Sequence, residues 1–137
     1  DKLSFETFSF EPNSWRSYQK LSGIGMTLKP DAYLELINHD YEDHYFLEID
    51  RSTESLVRIL NTCKKYIEYY RSGIEQRQKE VFPYVLWVVP DDKRKLAISK
   101  VIQKELYNFW ELFTVITLDE YSDYIKGGIS NEPEESR

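Results

Sequence analysis

A chain of 137 residues with a formal net charge of −6 and a single cysteine has room for one domain around one core and cannot form an internal disulfide. It also lacks the basic balance of a dedicated nonspecific DNA binder. Its 11 Tyr, 7 Phe and 3 Trp make large rings the main core filling. No apolar run reaches membrane-spanning length and no secretory leader is visible, so the expected location is cytoplasmic with no membrane partner, which suits the lone Cys63.

In chain order, Leu3 to Phe10 alternates enough to predict a short strand. Pro12-Asn13-Ser14 is a turn, and Ser14 is placed to cap a brief helix through Leu21 before Gly23 and Gly25 break the pattern. Met26 to Ile37 has strand alternation interrupted at Pro30. Asn38 to Asp43 reads as a hairpin loop and Tyr45 to Ile49 as the return strand. Ser52 or Thr53 then caps a helix with Leu56, Leu60, Cys63, Ile67 and Tyr70 on one face, stopped by Gly73. After a polar loop, the continuous apolar run Pro83 to Val89 predicts a strand buried on both faces. Asp91 or Asp92 caps a second helix reaching about Trp110. Phe113 to Thr117 is a last strand, and Leu118 opens a final small helix. A hairpin feeding a βαβαβ tail implies an α/β fold with a mixed central sheet flanked by helices. Asp1 is not an initiator methionine and the end of the chain is polar. The expectation is therefore a fragment of a longer protein, with one domain over 1–128 and a flexible tail over 129–137.

Two acidic segments carry the chemistry. Asp31 follows Lys29-Pro30, and alternation puts Glu48 and Asp50 on one face of the return strand. If the two strands pair, the three carboxylates converge at one sheet edge as oxygen ligands for Mg²⁺ or Mn²⁺. Carboxylates side by side on a buried strand repel and lose hydration, so a metal or a basic partner should compensate them. The bland alternative makes Asp50 the lead into a helix cap and pairs Glu48 with Arg51 or Lys65. Glu54 is expected in the first turn of the following helix as a partner for its dipole. The basic groups Arg58, Lys64, Lys65 and Arg71, and Lys93 to Lys104, read as solvated helix faces. His39 and His44 read as surface residues, and Cys63 as core.

This element order, with Pro30-Asp31 followed by Glu48-Ile49-Asp50, resembles the PD-(D/E)xK nuclease superfamily. More narrowly, Leu28-Lys29-Pro30-Asp31-Ala32, Phe46 to Glu54, the Lys65-Tyr66 pair with Tyr70, and Phe82 to Leu86 look like the plasmid replication-relaxation proteins, a likeness covering roughly Met26 to Thr117. The resemblance implies a restriction-endonuclease-like fold on a plasmid, phage or integrative element. It implies DNA as partner, engaged with help from a winged-helix region absent from this stretch, and metal-dependent DNA nicking by Asp31, Glu48 and Asp50. Asp50 stands where the superfamily carries the lysine that orients the attacking water, so Lys65 or Arg58 on the next helix is the expected positive substitute, with Lys65 in the catalytic set. The rival expectation is a catalytically degenerate nuclease fold serving homodimerisation or partner binding in a regulatory protein. A third is a regulator whose pocket senses a small ligand or peptide.

Overall fold

A computed structural model describes residues 4–37, 40 and 42–123, with side chains from Phe8 onward. The expectations for His39 and for the tail 129–137 lie outside the described residues. Five strands form the main sheet: β1 (Ser4–Phe10), β4 (Ala32–Ile37), β5 (Glu42–Ile49), β6 (Tyr84–Val89) and β7 (Phe113–Thr117), in the order β1-β4-β5-β6-β7. β1, β4 and β5 pair antiparallel; β5, β6 and β7 run parallel, joined through α1 (Leu56–Ser72) and α3 (Asp92–Glu105). This is the expected mixed α/β sheet flanked by helices. The parallel strand β6 is an unbroken apolar run because both its faces are covered: Val85, Trp87 and Val89 join one core cluster, Leu86 and Val88 the other.

One core lies on the helix side. There Tyr33, Phe46, Trp87 and Phe113 meet Ile59, Cys63, Tyr66 and Tyr69 of α1 and Ile98 and Ile102 of α3. The aromatic surplus is spent in this layer: Phe46 sits 5.6 Å from Tyr66 and 5.9 Å from Phe82, centroid to centroid. The buried face of α1 is turned from the expected one, so that Tyr66 and Tyr69 are inside and Tyr70 is exposed.

Three local expectations are corrected. Residues 14–21 form no helix; Arg16–Gln19 is a strand (β2) paired antiparallel with β3 (Gly25–Leu28) in a separate two-stranded sheet. Ser14 does not cap a helix. Its hydroxyl donates to the Pro30 carbonyl at 2.7 Å, and Tyr18 uses strand alternation to bury its ring. Met26 to Ile37 is two strands, not one, because the chain leaves β3 at Lys29-Pro30 and enters the main sheet at β4. The loop after Gly73 contains a short helix, α2 (Ile74–Lys79), around a buried Glu75, which accepts from Arg16 at 2.8 Å and from the Tyr69 hydroxyl at 2.6 Å. No apolar face announces so short a helix; a buried ion pair holds it.

Helix boundaries follow their caps. Ser55, rather than Ser52 or Thr53, accepts from the Arg58 N–H, and Gly73 ends α1 at φ 74°, a conformation that glycine adopts without strain. Glu54 therefore precedes the cap, and the first turn of α1 has no acid. Asp91 caps α3, which stops at Glu105 because Leu106 turns inward and the chain reverses toward β7. Residues 118–123 are helical, as expected from Leu118. Among the described residues no helix is long and apolar enough to cross a membrane.

Candidate carboxylate site at the end of strand β5

Asp31 is the residue before β4, and the antiparallel register Ala32↔Leu47 sets it beside the end of β5. Its N–H donates to the Leu47 carbonyl at 2.9 Å, and its carboxylate accepts from the Ile49 N–H at 2.7 Å. Tyr33 and Phe46 lie in the helix-side core, so period-two alternation puts Asp31, Glu48 and Asp50 on that same side of the sheet.

Glu48 reaches toward α1, where the Tyr66 hydroxyl donates to it at 2.5 Å. Burial, more than any neighbour, raises its carboxyl, to about 8. The Tyr66 hydrogen bond opposes that rise, and the charges of Asp31, Glu54 and Glu11 add to it. Asp31 is also raised, first by burial and then by Glu11, against the lowering effects of the Ile49 N–H and Arg51. Tyr66 is pushed far above the ordinary phenol range by burial and by Glu48. Among the described residues neither Asp31 nor Glu48 forms an ion pair. Burial among other acids therefore favours the protonated form of Glu48.

Asp50 has a different environment. It is 4 % exposed, and both its oxygens are taken by Arg94, from Nε at 2.6 Å and Nη2 at 3.0 Å. Oδ1 also accepts from the Ser52 N–H, and Arg94 donates further to the Glu54 carbonyl at 2.7 Å. Asp50 and Arg94 thus join the start of α3 to the loop before α1. Lys65, next to Tyr66 on α1, is exposed to solvent.

The structure brings Asp31 close enough to raise the proton affinity of Glu48, while Asp50 is engaged by a guanidinium and Lys65 is exposed on α1. Arg94 was expected on a solvated helix face with the other basic residues of α3, but its side chain turns in to Asp50, 44 residues away. Sequence reasoning did not find Glu11, which is held near the site by a 3.0 Å hydrogen bond from the Trp15 indole. No local spacing signals either contact.

A second group lies at the far end of the same hairpin. Glu35, Glu42 and His44 are the three ligand-type side chains whose atoms come within 4.8 Å of one another among the described residues. Tyr33 donates to Glu35 at 2.6 Å and lies 2.8 Å from His44 Nδ1, Lys79 donates to Glu35 at 3.1 Å, and His44 Nε2 meets Glu42 at 2.8 Å. His44 is buried, not at the surface as its loop position suggested. Every member of this group already has a partner within it.

No curated protein and no solved structure matches the chain. The family model described as replication-relaxation matches residues 3–85, which takes in β1 through the entry to β6 and with them Asp31, Glu48 and Asp50. The match spans well over half of the sequence, and the chain therefore belongs to the replication-relaxation family.

Proposed function

We propose that this domain serves mobile-element replication as a metal-dependent DNA nickase of PD-(D/E)xK type, with Asp31 and Glu48 holding Mg²⁺ or Mn²⁺. The observation that carries the reading is the pair of raised, unpaired carboxylates at the end of β5, beside the loops that lead into α1 and α3. Oxygen donors of this kind suit a hard divalent cation, and strongly perturbed acids cluster at working sites more often than elsewhere. The bound cation would polarise the scissile phosphate and supply a water ready to attack. Glu48 gives up its proton as it becomes a ligand, so cation uptake releases acid. Tyr66 keeps one Glu48 oxygen oriented, and the Ile49 N–H does the same for Asp31. In this reading Asp50 is not a free third ligand but the anchor of Arg94, whose guanidinium brings positive charge to the motif-lysine position. Lys65 and Arg58 are left to contact DNA backbone outside the site.

A second reading, a degenerate nuclease fold used for dimerisation or partner binding, is favoured by one fact: Asp50 replaces the motif lysine and is fully engaged by Arg94. A single experiment separates the two. Supercoiled plasmid is incubated with the intact protein in Mg²⁺ or Mn²⁺, beside Asp31→Asn and Glu48→Gln, and cation uptake is followed by calorimetry. Nicking and uptake that both vanish in the variants support the nickase. Absence of both in the unaltered protein leaves the degenerate fold.

A further inference from the structure

We propose that the β2–β3 hairpin is a wedge for duplex DNA, its apolar tip entering the base stack while Lys20, Arg71 and Arg77 take the flanking phosphates. The inference rests on the DNA reading above but uses none of the carboxylates. A two-stranded ribbon is marginal on its own, so its rigidity has to come from its base. There Tyr18 packs 5.7 Å from Tyr69, centroid to centroid, and its hydroxyl donates to Glu68 of α1 at 2.6 Å. The tip is closed by hydrogen bonds from the Lys20 N–H to the Ile24 carbonyl at 2.9 Å and from the Gly23 N–H to the Lys20 carbonyl at 2.8 Å. Gly23 sits at φ 89°, which a side chain would strain.

This turn holds out two aliphatic side chains: Leu21 is fully exposed and Ile24 is 60 % exposed. Scattered exposed hydrophobics are ordinary, but these two bracket one turn, with two adjoining cavities between the ribbon and the helices. One cavity, about 460 Å³, is lined by Lys20, Leu21, Glu68 and Arg71; the other, about 710 Å³, by Ser17, Thr27 and Arg77. The one acid among these, Glu68, is held by Tyr18 and by Lys20 at 4.0 Å. Arg71 stacks 5.0 Å over Phe109, and among the described residues neither Arg71 nor Arg77 pairs with a carboxylate. In a chain of net charge −6, two unneutralised guanidiniums, Arg71 by the apolar tip and Arg77 along the ribbon, complement a backbone of phosphates around stacked bases. Proteins that unstack duplexes combine these two features, an aliphatic wedge and flanking cations.

The test is binding of the intact protein to a short duplex carrying 2-aminopurine, in EDTA so that no metal-dependent step intervenes. The unaltered protein should raise the fluorescence by unstacking the probe. Leu21→Ser combined with Ile24→Ser should lose that rise and bind about tenfold more weakly, with an unchanged melting temperature because both residues face water. Arg71→Gln combined with Arg77→Gln should lower the slope of log affinity against log salt by about 2. Because binding is read in EDTA, where no metal-dependent nicking occurs, failure of nicking and failure of the wedge are separate results. The wedge is overturned if the unaltered protein does not bind DNA, binds it without unstacking, or keeps both properties when the tip is changed. It is equally overturned if the tip variant alters only self-association in sedimentation, which would assign the tip to a second copy.

Discussion

The two ends of the β4–β5 hairpin treat buried acids in opposite ways. At the outer end, Glu35 is ringed by Tyr33, Lys79 and His44, and its carboxyl is held below the ordinary range by the hydrogen bonds from Tyr33 and Lys79, which outweigh burial. At the other end, Glu48 has one phenol donor and acidic neighbours, and its carboxyl rises to about 8. Burial pushes both acids up and Glu48 the more; what separates their outcomes is that only Glu35 has cationic and hydrogen-bonding neighbours enough to outweigh it. An acid whose neighbours are also acids remains a standing electrostatic cost that a bound cation relieves, whereas a compensated acid only joins elements together.

The largest effect that would break this contrast is loss of nicking in Asp31→Asn or Glu48→Gln, expected to exceed roughly 100-fold because a ligand of the reacting centre is removed. Retained nicking in either variant would move the chemistry elsewhere. Next, Asp50→Ala or Arg94→Ala should destabilise by about 3 kcal/mol in urea unfolding, since either change leaves its partner buried and unpaired. The double variant should cost less than the two changes added together.

The pH dependence sharpens the contrast. Glu48 has a folded value of about 8 against an ordinary value of 4.5, so the native state holds this proton more tightly than the unfolded chain. Its contribution to stability is complete below about 4.5 and is lost as pH rises toward about 8. Glu48→Gln should flatten that slope in chemical denaturation measured across the window. Added Mn²⁺ should raise the melting temperature more at pH 8 than at pH 6, because ligation requires the deprotonated acid. The smallest change is at the compensated end: Lys79 is 39 % exposed at its side chain, so Lys79→Ala should cost under about 1 kcal/mol. A larger loss would mean that Glu35 depends on that ammonium as heavily as Asp50 depends on Arg94.

Much of the scaffold was legible because its signals are local. The apolar run of β6, the caps Asp91 and Gly73, and the strand character of β5 depend on neighbours within a few residues. The hairpin of β2 and β3 was missed because Ser14 and the following polar residues satisfy a helix-start pattern equally well, and only the packing of Tyr18 on Tyr69 decides for a strand. α2 was missed because its one buried residue, Glu75, is charged, and its partner Arg16 lies 59 residues away. The candidate site divides in the same way. Asp31, Glu48 and Asp50 could be placed on one side of the sheet by alternation and strand pairing, but their individual fates could not.

From the order of its residues alone, this chain determined the mixed α/β sheet and brought Asp31 next to Glu48, because pleat alternation and hairpin pairing are properties of short segments. Tertiary packing alone decided that Asp50 would be held by Arg94, that Glu48 would meet Tyr66 amid other acids, and that His44 would be buried. Those outcomes depend on side chains that arrive from other elements, and on how much water they displace when they do.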